Sequence, residues 1–220
     1  MSDINLRSSG ITDDLKDYRY HILGCGAIGS SAATQLARMG VEEFVLYDLD
    51  VVEVQNIGVS HYVVKDVGKK KVDALKRHLR EINPQVAVHT QFGLFTEFAK
   101  PLDEADVVIL GFDSMKARLD ASKIALARGN KPSLLIDGRM GSEQYRQYIL
   151  KNPTLQDYVN TWYSDDDSSD EPCNAKATSY CSNMSGAFIA NAVKKVMNNE
   201  PYNSEIIFTF PNNMLVHSAG

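Results

Sequence analysis

Gly24, Gly26 and Gly29 stand at G-x-G-x-x-G spacing, just after an apolar run over 20–23 and just before a helix-patterned segment over 30–39. A strand that turns sharply into a helix aims unpaired N–H groups and the positive end of the helix dipole at one point, and that point binds anions. Gly24 permits the tight turn, Gly26 the close approach of a phosphate to the backbone, and Gly29 close helix–strand packing. A second apolar run over 44–47 ends at Asp48, 24 residues after Gly24, near the offset of about 20 at which a carboxylate meets a ribose hydroxyl. The spacing predicts a nucleotide site, with Ala27 and Ile28 completing its loop. A tight turn without a ligand is the alternative.

The elements that would position this loop alternate. Apolar runs predict strands over 19–23, 44–47, 86–90, 107–110 and 134–136, with helices over 30–39, 69–82 and 115–127 between them. Strands alternating with helices imply a largely parallel sheet with helices on both faces, a Rossmann-like α/β fold. In the second helix Val72, Leu75 and Leu79 share one face beside a basic one, and Asn83-Pro84 ends it. Beyond Asp137-Gly138 the pattern changes. Residues 144–150 alternate like an exposed edge strand, and the acidic run 164–171 reads as a mobile loop. An apolar helix follows over 185–197. The chain then closes on a hairpin, 205–210 and 214–217, turned at Pro211-Asn212-Asn213, giving antiparallel C-terminal strands. We read residues 1–220 as one domain: a nucleotide-binding half over 15–140 and a C-terminal half over 141–220, with the acidic loop near 151–175.

Composition narrows the classes. The 220 residues are 44% hydrophobic and 23% charged, with net charge −5, ordinary for a soluble globular chain and unlike a general nucleic-acid binder. No transmembrane span or secretory leader is expected, so a cytoplasmic location is the default. Three cysteines, at 25, 173 and 181, do not make a disulfide framework.

Further residues carry a resemblance. Asp48-x-Asp50-x-x-Glu53-x-x-Asn56, then Gly68-x-x-Lys71, then Asn83-Pro84, then Phe112-Asp113-Ser114 with Arg118, resemble the ThiF/MoeB family of adenylating enzymes, relatives of ubiquitin-activating enzymes. The resemblance runs from about residue 18 to about residue 196. It implies ATP and magnesium as cofactors. As partner it implies a small ubiquitin-like or sulfur-carrier protein ending in Gly-Gly, whose C-terminal carboxylate is adenylated with release of pyrophosphate. By the same resemblance Asp48 binds ribose and Gly24, Gly26 and Gly29 line the phosphate loop. Lys71 contacts phosphate, Asp113 coordinates magnesium, and Asp50 and Asn56 support the site. Lys71 otherwise reads as part of a solvated lysine run, and Asp113 as a cap for the following helix. Arg118 contacts nucleotide or makes a surface pair. A homodimer is the expected assembly.

Two features need their own reading. The family continues from its asparagine with Leu-x-Arg-Gln, whereas this chain has Asn56-Ile57-Gly58-Val59-Ser60, with valine in the arginine's place. Either another cation substitutes, with Lys65, Lys69 and Lys70 nearby and a second subunit available, or the chain is a weak or inactive relative. The cysteines lack any CxxC pair, so the structural zinc of many relatives is not expected. Cys173, after the acidic run, is the thioester nucleophile that the resemblance suggests. Cys181, near a helix start, is favoured on local thiol chemistry, and small buried residues are the alternative for both.

Three function classes follow: an ATP-dependent adenylyltransferase, a non-catalytic binding module on the same fold, and a nicotinamide-dependent dehydrogenase. The glycine loop and Asp48 alone would fit the last equally well. Lys71, Asp113 and the Asp-x-Asp…Asn pattern weigh against it.

Overall fold

The apolar runs pair into one eight-stranded mixed sheet, ordered β3-β2-β1-β4-β5-β6-β7-β8, in a computed structural model that describes residues 6–8, 10–164 and 177–219. β1 (Arg19–Leu23), β2 (Glu43–Asp48), β3 (Ala87–Phe92), β4 (Asp106–Leu110) and β5 (Leu134–Gly141) are parallel. β6 (Gln144–Lys151), β7 (Asn203–Thr209) and β8 (Met214–Ala219) continue the sheet antiparallel. The helices are α1 (Ala27–Arg38), α2 (Lys71–Ile82), α3 (Met115–Ala125), α4 (Leu155–Val159) and α5 (Ser179–Met197). Among the described residues no helix is long and apolar enough to cross a membrane.

Both faces of the parallel half are covered because successive strand residues point to opposite faces. Tyr20, Ile22, Phe44, Leu46, Val107 and Ile109 pack with α1, α2 and α5. Leu23, Val45, Tyr47, Val108 and Leu110 pack with α3 and Tyr158 of α4. In α2, Leu75 and Leu79 are fully buried, each contributing roughly 1.5–3 kcal/mol relative to an exposed side chain. Gly186 of α5 lies so close to α1 that a Cβ there would stand 2.3 Å from Ser31 Oγ. The two helices are locked together at that point.

The structure differs from the sequence expectation in several places, α5 among them, since it begins at Ser179 rather than residue 185. α1 begins at Ala27 rather than residue 30, because Gly26 is its N-cap and Gly29 lies in its first turn. β5 runs on through Gly138 to Gly141. There a Cβ would sit 3.0 Å from the Tyr145 hydroxyl and 3.1 Å from Ile28, so glycine answers a packing demand rather than breaking the strand. β6 is not an edge strand: it pairs with β5 on one side and β7 on the other. α4 was not expected. Its signal is Thr154-x-x-Asp157, where each side chain accepts the other residue's backbone N–H, a reciprocal cap. The acidic loop lies, from residue 165 onward, outside the described residues.

Asp66 ties the segment between β2 and α2 to the body. Its buried carboxylate accepts from Arg77 Nη2 at 2.5 Å, His78 Nε2 at 2.8 Å and the Val63 N–H at 3.0 Å. Burial would raise its pKa, but the Val63 N–H, His78 and Arg77 outweigh it and hold the carboxyl at about 2. A carboxyl depressed in the folded chain contributes stability that is present above about pH 4 and lost as pH falls toward the folded value. Asp66→Asn should therefore lower the urea midpoint at pH 7, with the gap to wild type closing between about pH 4 and pH 2. A gap that stays constant over that window would count against the ion-pair account.

Candidate functional site

The site lies at the carboxyl ends of β1, β2 and β4, where strand order reverses and open α/β sheets bind ligands. Gly24, at φ +90°, makes the turn out of β1, and its N–H donates to the Tyr47 carbonyl at 2.9 Å. Gly24, Gly29 and Gly111 form one close contact. A Cβ on Gly29 would stand 1.8 Å from the Gly24 oxygen, and one on Gly24 would stand 2.8 Å from the Gly111 carbonyl carbon. Gly26 differs: a Cβ there would meet nothing within 4 Å. It is the loop position facing open space, beside the first-turn N–H groups of α1, which have no intrahelical partner.

Asp48 ends β2 and closes onto this loop. Its Oδ2 accepts the Cys25 N–H at 2.7 Å and its Oδ1 the Asp50 N–H at 2.8 Å. Burial raises its carboxyl pKa, while those two N–H groups and Lys71 work to lower it. Lys71, the first residue of α2, is buried with its Nζ on Asp50 Oδ2 at 2.7 Å. Burial would lower its pKa, but Asp50 and Asp48 outweigh that and hold it above its ordinary value, so the ammonium stays charged. Tyr62 knits the group together from beneath. Its hydroxyl lies 2.6 Å from the Cys25 carbonyl and 3.2 Å from that of Lys71. A lone tyrosine in a loop carried no signal of this in the sequence.

Asp113 lies two residues past Gly111, exposed, and its side chain makes no hydrogen bond or ion pair among the described residues. The helix cap is Ser114, whose Oγ accepts the Ala117 N–H at 3.2 Å. Capping therefore does not explain Asp113. Among the described residues no group of three or more His, Cys, Asp or Glu could hold a metal by itself. The residues present still fit magnesium, which is commonly held by one or two carboxylates together with nucleotide phosphates and waters.

Arg118 points away from the cleft. Its guanidinium is buried against the Asp137 carboxylate, with Nη1 also 3.4 Å from the Leu110 carbonyl and Nη2 on the Phe112 carbonyl. This corrects the expectation of a surface pair, since the pair it makes with Asp137 is buried. Asp137, fully buried, also accepts from Arg139 Nε at 2.9 Å and Nη2 at 2.7 Å, and from the Tyr158 hydroxyl at 3.1 Å. Arg139 reaches on to the Thr161 carbonyl at 2.8 Å. Trp162 Nε1 donates to the Met115 carbonyl at 2.8 Å, fastening the chain after α4 to the start of α3.

The remaining candidates stand apart. Asn56 Oδ1 accepts the Glu53 N–H at 2.8 Å, closing its own short turn. Val59 sits half-buried in the turn that follows. Lys65 pairs with Glu81 at 3.7 Å, Lys69 with Asp66 at 3.9 Å, and Lys70 Nζ lies 4.4 Å from the Phe92 ring centre. Cys25 and Cys181 are fully buried. Burial pushes the Cys25 thiol well up, which disfavours the thiolate. Cys173 lies outside the described residues.

The sequence profile of the ThiF family matches residues 3–216, and the chain belongs to that family. Ubiquitin-like modifier-activating enzyme 5 of Oryza sativa subsp. japonica is 38% identical over 88 residues, 39% of this chain and 21% of that protein. The tRNA threonylcarbamoyladenosine dehydratase of Escherichia coli K12 is 30% identical over 128 residues, 56% of this chain and 46% of that protein. The matched stretches thus span about a fifth to a half of these relatives. Among solved structures, E. coli MccB with ATP superposes with a TM-score of 0.73 at 19% identity, covering 95% of this chain and 66% of that one. PaaA gives 0.72 at 23% identity, with the same coverage. At those identities the likeness is one of fold. Family membership leaves the dehydrogenase alternative without support.

Proposed function

We propose that this chain adenylates the C-terminal carboxylate of a small ubiquitin-like or sulfur-carrier protein ending in Gly-Gly, using ATP and releasing pyrophosphate. The observation that carries the reading is the convergence on one glycine loop of a ribose-directed carboxylate, Asp48, a buried cation, Lys71, and an exposed carboxylate without a partner among the described residues, Asp113. Relatives named as ubiquitin-like modifier-activating enzymes, and a fold neighbour solved with ATP and with the peptide MccA, support it.

In this reaction a carboxylate oxygen attacks the α-phosphorus. The new C(O)O–P bond forms as the bond to the bridging oxygen breaks, and its electron pair leaves with pyrophosphate. The loop N–H groups around Gly26 and the Lys71 ammonium face the charge that develops on phosphate oxygens. Lys71 rests on Asp50 beforehand, so it is charged and aligned before nucleotide arrives. Magnesium, held by Asp113 and the phosphates, would supply further charge neutralisation. The acyl group leaves either as the free adenylate or by attack of the Cys173 thiolate with AMP departing. A covalent adduct on Cys173 that hydroxylamine cleaves by acyl transfer distinguishes the two. The working assembly in this proposal is a homodimer.

Calorimetry tests the nucleotide choice. ATP with magnesium should bind, and NADPH should not, since Asp48 would repel a 2′-phosphate. Asp48→Ala should weaken ATP by about 1.5–3 kcal/mol, the scale of a hydrogen bond to a charged group. Tighter binding of NADH or NADPH than of ATP would overturn the proposal. Val59 favours the second reading, a binding module. Absent ATP binding and absent pyrophosphate exchange, unrescued by Val59→Arg, would select it.

A further inference from the structure

Asp113 has a position to keep and nothing at its own side chain to keep it there. Its carboxylate is exposed and without a hydrogen bond or ion pair among the described residues, so its placement depends on the backbone over 110–114. That backbone is gripped from beneath by one side chain. Arg118, one turn into α3, lays its guanidinium under the loop and meets the carbonyls of Leu110 and Phe112, one residue before Asp113. A guanidinium offers donors in a fixed planar fork, so one group can serve two carbonyls and a carboxylate together. The carboxylate is Asp137, within β5 and paired in register with Leu110 at the end of β4, itself held by Arg139 and Tyr158.

We propose that Arg118 is a positioning residue for Asp113, acting through the Leu110 and Phe112 carbonyls, and that Asp137 keeps Arg118 in place. The part concerning magnesium and nucleotide rests on the adenylation reading, and the part concerning the loop does not. Arg118 therefore serves the site without touching nucleotide. The order of the loop and the metal's share of nucleotide affinity both depend on it, whereas metal-free nucleotide affinity does not.

The test uses wild type, Arg118→Lys and Asp137→Asn. ATP is titrated calorimetrically with and without magnesium, and amide hydrogen exchange is followed over 111–115. Lysine keeps a cation beside Asp137 but cannot span both carbonyls, so that variant carries the test even if Asp137→Asn fails to fold. In the variants that fold, the amides over 111–115 should exchange faster. The tightening that magnesium gives to ATP binding should fall about 10–100-fold, as for lost outer-shell supports of metal ligands. Affinity without magnesium should be unchanged. Unchanged loop protection in Arg118→Lys overturns the proposal. So does an equal loss of affinity with and without magnesium, which would make Arg118 a direct nucleotide contact. If wild type binds no ATP at all, the adenylation reading falls, and loop protection alone then decides whether Arg118 holds the loop.

Discussion

Gly29→Ala is expected to remove a large share of this protein's stability, whereas Gly26→Ala, three residues away, should cost much less. The added Cβ at 29 would stand 1.8 Å from the Gly24 carbonyl oxygen and 3.1 Å from Ile22 Cγ2. Neither side can retreat. Gly24 already abuts Gly111, and α1 is pinned from behind where Gly186 meets Ser31. Overpacking costs about 1–3 kcal/mol in side-chain cores, and here the obstacle is backbone, so a loss of roughly 3 kcal/mol or more is expected. That is a large fraction of a net stability of about 5–15 kcal/mol. At Gly26 a Cβ meets nothing within 4 Å, so the loss of stability should be well below that at Gly29. The methyl group would project into the space where phosphate approaches, and ATP affinity should drop. Urea unfolding of both variants, with ATP titration of Gly26→Ala, checks the pair. Equal destabilisation by the two substitutions, or unaltered ATP binding by Gly26→Ala, would contradict this division of labour.

The same contrast explains what could be read from the residues alone. The parallel half was legible because doubly covered strands are short apolar runs bounded by turn residues, and because one glycine loop fixes where strand gives way to helix. Glycine is also where reading failed. Gly138 looks like a breaker, yet it lies inside β5 because Tyr145 and Ile28 leave no room for a side chain. Nothing local announces a neighbour that arrives from another strand and another helix. The site divides in the same way. Asp48 could be placed because its position depends only on the length of one β–α–β unit. The direction of Arg118 could not, since it depends on Asp137, a carboxylate on the next strand of the sheet. Tyr62 was illegible for the same reason: its two carbonyl partners lie on the glycine loop and at the start of α2. Groups on the glycine loop and at the strand ends left a trace in spacing along the chain. Groups holding those from behind left none.

The second large effect is expected at Asp113, and the structure separates its two explanations before any kinetics. Had Asp113 capped α3, its removal would cost stability. The cap is instead Ser114, through its Oγ and the Ala117 N–H at 3.2 Å. Ser114→Ala should therefore destabilise the protein by about 1 kcal/mol, the usual loss of an N-cap side chain. Asp113→Ala should leave the melting temperature at the wild-type value, since the carboxylate has no partner among the described residues to lose. If Asp113 holds the metal beside the phosphates, that same variant should lose carrier-dependent ATP–pyrophosphate exchange by about 10²–10³, the range seen when one group aimed at developing charge is removed. The two variants thus exchange signatures, one losing stability with its rate intact and the other its rate with stability intact. Calorimetric melting and exchange rates per folded molecule, measured on both, decide it. An Asp113→Ala protein that melts early but keeps its exchange rate would return Asp113 to a structural role. The adenylating site would then need another carboxylate, and Asp50, exposed beside the loop, is already spent on Lys71 at 2.7 Å.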